Sequence, residues 1–130
     1  MRTLLLLLMA SLTTLTYATP GPKLASAGAG TTELILALDG GAHLRAVDDT
    51  SELPQTLMQL PRLGYHRQLS AEGVIASGAQ MLVGSHEMGP AKTLDLVRQA
   101  QIQVVALPPA ASGHQLLANI EQLARLLQRP

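Results

Sequence analysis

Three side chains with complementary chemistry stand together at positions 65–67: the phenol of Tyr65, the imidazole of His66 and the guanidinium of Arg67. A phenolate oxygen is a hard donor suited to ferric iron, and tyrosine is one of the axial ligands that proteins offer to haem. Its ordinary pKa of about 10 means that ligation at neutral pH needs the metal itself and a nearby cation. Arg67, two residues on in an extended loop, is spaced to point the same way and donate hydrogen bonds to that oxygen. The competing reading is a surface tyrosine packing its ring on the rim, with Arg67 solvated. Residue types alone leave both open.

No other stretch has the spacing of a catalytic centre. Val83-Gly84-Ser85-His86-Glu87 lacks the second glycine of a nucleophile elbow. Gly28-Ala29-Gly30 stops short of a dinucleotide fingerprint, and no Walker loop is present. His43, His66, His86 and His114 fall into no metal-binding spacing, and each reads singly as solvated. Asp48-Asp49 is the one adjacent carboxylate pair and reads as exposed loop charge. The lack of cysteine excludes disulfides and thiolate metal sites, and a net charge of zero gives no footprint for nucleic acid or an anionic membrane. The chain reads as a non-enzyme.

Residues 1–18 have the layout of a secretory signal: Arg2, then the apolar run Leu4–Met9, then Thr16-Tyr17-Ala18 with small residues for cleavage near Ala18. The run is too short to span about 30 Å of hydrocarbon. Loss of Arg2 leaves eight Lys and Arg against nine Asp and Glu, a net charge of −1. A soluble periplasmic protein, not embedded in the membrane, is the expectation.

The remaining 112 or so residues suffice for one domain, with a core of Leu, Val, Ile, Ala and Met because Phe and Trp are absent. Short strands are expected at Lys23–Ala27, Leu44–Val47, Met81–Gly84 and Gln103–Leu107. Between them, Thr31 or Thr32 caps a helix reaching about Leu38. Ser70 caps a short helix to about Ser77, with Glu72 in its first turn. Pro90 takes the first position of a helix whose Leu94, Val97 and Ala100 share a face. Residues 55–62 have helical leucine spacing interrupted by Pro61. The last helix carries Leu116, Leu117, Ile120, Leu123 and Leu127 on one stripe. Strands alternating with helices predict an α/β fold: a three-layer, Rossmann-like or flavodoxin-like lobe with a mostly parallel sheet and helices on both faces. Ligands of such sheets sit beyond the carboxyl ends of the strands. The loops gathering there are Gly28–Thr32, Asp48–Glu52, Ser85–Gly89 and Pro108–Gly113, and the Tyr65 loop is expected to join them.

Gly64-Tyr65-His66-Arg67-Gln68-Leu69-Ser70-Ala71-Glu72-Gly73 resembles the G-Y-x-R-Q-L-S-x-E-G motif of the haem-binding periplasmic proteins that serve bacterial haem ABC importers. Thr32-Glu33-Leu34, Arg45-Ala46-Val47-Asp48-Asp49-Thr50-Ser51 and Leu60-Pro61-Arg62-Leu63-Gly64-Tyr65 resemble the T-E-I/L, V-G-V-D-x-T-S and L-P-x-V-G-Y segments of that family. The resemblance implies that Tyr65 ligates haem iron and that Arg67 supports its phenolate. It places His66 in the pocket lining, puts the Ser85-His86-Glu87 loop near the macrocycle with His86 as a candidate second ligand, and makes Glu72 the carboxylate that docks on a membrane permease. Haem, an inner-membrane ABC permease and its ATPase are the implied partners.

Family members run to about twice this length, with two lobes pinching the ligand between them. Residues 19–130 correspond to the first lobe, so the sequence is expected to be a fragment or a truncated product without the second. It also lacks an aromatic residue before Pro54 and has Gly78-Ala79-Gln80-Met81 where a P-D-L entry is usual. A siderophore or cobalamin binder of the same family is the first alternative. A small flavodoxin-like enzyme or signalling domain is the second.

Overall fold

The sheet is built from four short apolar runs, and its strand order follows from how they are joined. The structure, a computed structural model, describes residues 21–128; the expected leader and cleavage point lie outside them. The elements are β1 (Leu24–Ala27), α1 (Ala29–Ala37), β2 (Leu44–Val47), α2 (Ala71–Ala76), β3 (Met81–Ser85), α3 (Ala91–Gln99), β4 (Gln103–Leu107) and α4 (Gly113–Leu126). All pairings are parallel, in the order β2-β1-β3-β4. The chain therefore moves one way from β1 to β2 and then jumps back across β1 to β3. That reversal puts a crevice between the carboxyl ends of β1 and β3, where open α/β sheets take ligands.

Side chains alternate across the sheet and bury two separate apolar layers. Ala25, Ala27, Ala46 and Leu82 pack with Val74 of α2 and Val97 of α3. Leu24, Leu44, Val47, Val83 and Leu107 pack with Ile35 of α1 and Leu123 of α4. Each large aliphatic side chain fully buried in this way stabilises the fold by about 1.5–3 kcal/mol. The result is the expected three-layer α/β architecture. Gly84 lies at the tightest point of the sheet: a Cβ there would meet the Ala27 carbonyl oxygen at 2.8 Å and Met88 Sδ at 2.5 Å. The register of β1 with β2 slips by one residue, Leu24 facing Leu44 and Ala25 facing Ala46. This bulge at Arg45 lets Leu44 and Ala46, two residues apart, serve opposite layers.

Several local expectations change. Helix α1 starts at Ala29 from Gly28, whose φ is 102°, and no side chain caps it. Thr31 and Thr32 are both buried within it, and the Thr32 hydroxyl bonds to Ser26 and Ser51 instead. Pro90 is the N-cap of α3 rather than its first helical residue, and Ala100 is its exposed C-cap. Ser70 caps α2 as expected, accepting from Gly73 N–H at 3.0 Å. Residues 55–57 form a single 3₁₀ turn. On α4, Leu123 and Leu127 are buried, but Leu116 and Leu117 are 41% and 55% exposed, so the stripe is covered only along its C-terminal half.

Candidate functional site

Arg62, Leu63 and Gly64 extend the sheet at the carboxyl end of β2. Val47 N–H donates to the Pro61 carbonyl at 3.1 Å, Leu63 N–H to the Val47 carbonyl at 2.9 Å, and Asp49 N–H to the Gly64 carbonyl at 2.8 Å. Gly64 then reverses the chain with φ 82°, a conformation that disfavours a Cβ. A turn follows, closed by Gln68 N–H on the Tyr65 carbonyl at 2.8 Å, and Leu69 anchors its far side in the core. Tyr65 thus stands on the rim, 44% exposed. The loop is a rigid projection rather than a loose strap, because both flanks are tied to sheet and core.

Two of its three polar side chains, His66 and Arg67, meet Glu87 of the β3 exit loop, and the third, Tyr65, meets His66. The Arg67 guanidinium pairs with the Glu87 carboxylate, both groups being about half exposed. The His66 ring meets Tyr65 edge-on, with centroids 4.5 Å apart and planes at 62°. Its Nδ1 lies 3.5 Å from Asp48 Oδ2 and its Nε2 lies 3.9 Å from Glu87 Oε2. Nδ1 is buried without a hydrogen-bond partner. His86 is exposed and faces the other way from its neighbour Glu87, onto a cavity described below. Glu72 is exposed in the first turn of α2, where it complements the helix dipole. Of the expected site residues, Tyr65, His66 and Arg67 form one cluster, His86 belongs to the adjoining rim, and Glu72 stands apart on α2.

Asp48 was expected as exposed loop charge and is instead fully buried; Asp49 carries the exposed charge. Burial pushes the Asp48 carboxyl up, but hydrogen bonds from Ser51, Thr50 and the backbone N–H groups of Gly28 and Thr50 outweigh it and hold the group below the usual carboxylate range. The polarity of the surrounding hydroxyl chain follows from counting protons. Ser51 donates its single proton to Asp48 Oδ1 at 2.6 Å, so its oxygen accepts from Thr32 at 2.6 Å, and Thr32 in turn accepts from Ser26 at 2.7 Å. This chain joins β1, α1 and the β2 exit at the crevice. Sequence reading missed it because no local spacing announces a contact between Ser26, Thr32 and Ser51.

Beyond the ends of β3 and β4 lies a cavity of about 430 Å³ between α1 and α4, lined by Leu34, Leu107, Pro108 and Leu116, with Glu33 and His86 at its polar margin. Tyr65 does not line it; the β3 exit loop gives His86 to the cavity and Glu87 to the His66 and Arg67 side chains. The mouth therefore offers an exposed phenol and an apolar trough joined through the β3 exit loop. Among the described residues no group of three or more His, Cys, Asp or Glu is placed to hold a metal ion, and no helix is long and apolar enough to cross a membrane.

No protein-family model matches the chain, and no curated protein does. Solved structures do. A periplasmic heme-binding protein, HutB of Vibrio cholerae, is 44% identical with a TM-score of 0.76, over 81% of this chain and 40% of its own. A periplasmic heme-binding protein of Pseudomonas aeruginosa is 40% identical with a TM-score of 0.79, over 84% of this chain and 39% of its own. The periplasmic heme-binding protein BhuT, solved with two hemes, is 27% identical with a TM-score of 0.75, over 83% of this chain and 42% of its own. The chain thus spans about 40% of the length of the structures it matches. A vitamin B12-binding protein of Vibrio cholerae, at 21% identity and a TM-score of 0.70, shares the fold.

Proposed function

We propose that the chain is a haem-binding lobe of a bacterial haem import system, on the premise that it belongs to the class III periplasmic substrate-binding family, whose haem-binding members it matches over about 40% of their length. In this reading Tyr65 gives its phenolate to ferric haem iron, which needs no further metal from the protein. Arg67, two residues on and paired with Glu87 in this structure, would supply the nearby cation that favours the charged oxygen. The trough lined by Leu34, Leu107 and Leu116 offers apolar surface beside the β3 exit loop, which suits a flat, largely apolar macrocycle. Export to the periplasm follows from the leader, with cleavage near Ala18. Glu72, exposed at the start of α2, docks the loaded protein on an inner-membrane ABC permease driven by its ATPase.

The observation that carries the reading is the half-exposed phenol of Tyr65 fixed at the carboxyl-end rim of a parallel sheet. Haem titration of wild type and Tyr65→Ala tests it. The expected result is a tyrosinate-type ferric spectrum in the wild type and its loss in the variant. Identical uptake and spectra for the two proteins would overturn it.

A further inference from the structure

The imidazole of His66 is an unexplained feature of the Tyr65 loop. It is nearly buried, with 14% side-chain exposure, although histidine at this position has no sheet, cap or core role to fill. Its Nδ1 is shielded from solvent and unpartnered, 3.5 Å from an acceptor-only carboxylate. A shift of a few tenths of an ångström would complete that bond. Asp48 itself cannot move to meet it: Ser51, Thr50 and two backbone N–H groups fix both its oxygens. On its other side the His66 ring abuts the Tyr65 ring edge-on. The three residues form one file, from a fixed buried anion through an imidazole to the exposed phenol.

We propose that Asp48 and His66 are the positioning pair of this site: the buried carboxylate seats the imidazole through Nδ1, and the imidazole edge fixes the orientation of the Tyr65 ring at the mouth. The inference rests on the haem reading above for the purpose of that orientation. It makes His66 neither an iron ligand nor simple lining, since its ring nitrogens face the carboxylates of Asp48 and Glu87. It also requires a proton on Nδ1. An acceptor-only partner requires the proton on Nδ1, whichever form isolated histidine prefers. Groups that orient a metal ligand from behind typically contribute 10–100-fold in affinity.

The test uses the full chain in a Tyr17→Phe background, so that Tyr65 is the one tyrosine. Nitrogen-15 NMR of the ring, assigned by the signal lost in His66→Phe, is expected to show the Nδ1-protonated tautomer in the parent and its loss in Asp48→Asn. Tyr65 fluorescence anisotropy, read without haem, is expected to fall in His66→Ala, and haem affinity to drop about tenfold in His66→Ala and His66→Phe. Should Asp48→Asn fail to fold, the two His66 variants still decide the matter. A parent ring with no proton on Nδ1, or Tyr65 anisotropy and haem affinity unchanged in both His66 variants, would overturn the proposal. Loss of Tyr65 order in a protein that binds no haem would sustain the pair and overturn the haem reading instead. Tyr65-dependent haem binding with Tyr65 order and affinity indifferent to His66 would do the reverse.

Discussion

His66 and Gly89 are joined backbone to backbone, the Gly89 N–H donating to the His66 carbonyl at 2.9 Å while the Gly89 carbonyl accepts from Leu69 N–H at 2.9 Å. This two-way clasp fastens the Tyr65 turn to the exit of β3, the strand beside the crevice. The place of the turn's backbone is therefore set by the sheet and does not depend on the loop's own stiffness.

The turn needs Gly64 as much as it needs the clasp. With φ at 82°, and the Gln68 carbonyl oxygen 3.4 Å from where a Cβ would stand, Gly64→Ala strains the backbone. Chemical denaturation should show a loss of about 1–2 kcal/mol. Gly30→Ala, a helical position with open space around it, is the control and should cost nothing.

Asp48 makes stability depend on pH in a definite direction. Its folded-state pKa lies below the ordinary value, so its contribution is complete above the unfolded-state pKa of about 4 and disappears as pH falls through the lower folded-state value. Denaturation curves from about pH 7 down to about pH 3 should show that acid loss in the wild type and less of it in Asp48→Asn. At neutral pH the variant should be less stable by about 2 kcal/mol, because hydroxyl and N–H donors lose an anionic acceptor.

Much of this architecture was legible in the residue order. Apolar runs located all four strands, and Ser70 announced α2 because a cap acts over three residues and needs no distant partner. The failures are those of long-range structure. Thr32 looked like a cap, yet its hydroxyl serves Ser26 and Ser51, which only the folded sheet brings near. Asp48 looked solvated because a charge in a polar loop usually is, and its carboxylate is held by donors from two separate segments, the Gly28 turn and the Thr50–Ser51 loop. Leu116 and Leu117 kept helical periodicity without a covering layer among the described residues, since periodicity reports a face and not what lies against it. At the site, the neighbouring positions of Tyr65, His66 and Arg67 were evident. The intervention of Glu87, twenty residues on, was not.

The Arg67–Glu87 pair is half exposed, so its value to stability is small. A double-mutant cycle with Arg67→Ala and Glu87→Ala should give about 0.5 kcal/mol, shrinking with added salt. Its effect belongs to the ligand: Arg67→Ala should weaken the tyrosinate-type haem spectrum, which Glu87→Ala should leave in place. Loss of the spectrum in Glu87→Ala alone would assign the supporting role to the carboxylate.

Glu72 stands away from the Tyr65 cluster, on the exposed first turn of α2. Glu72→Ala should bind haem like the wild type and bind a permease-containing membrane several-fold more weakly. Loss of haem binding in this variant would contradict the division of labour between rim and helix.

The proposed bond joins the Tyr65 oxygen to iron, and resonance Raman spectroscopy reads that bond directly. With ring-deuterated tyrosine incorporated in a Tyr17→Phe chain, the ferric haem complex should show iron–phenolate modes that shift with the label and vanish in Tyr65→Phe. Haem bound with no label-sensitive phenolate mode would contradict the account.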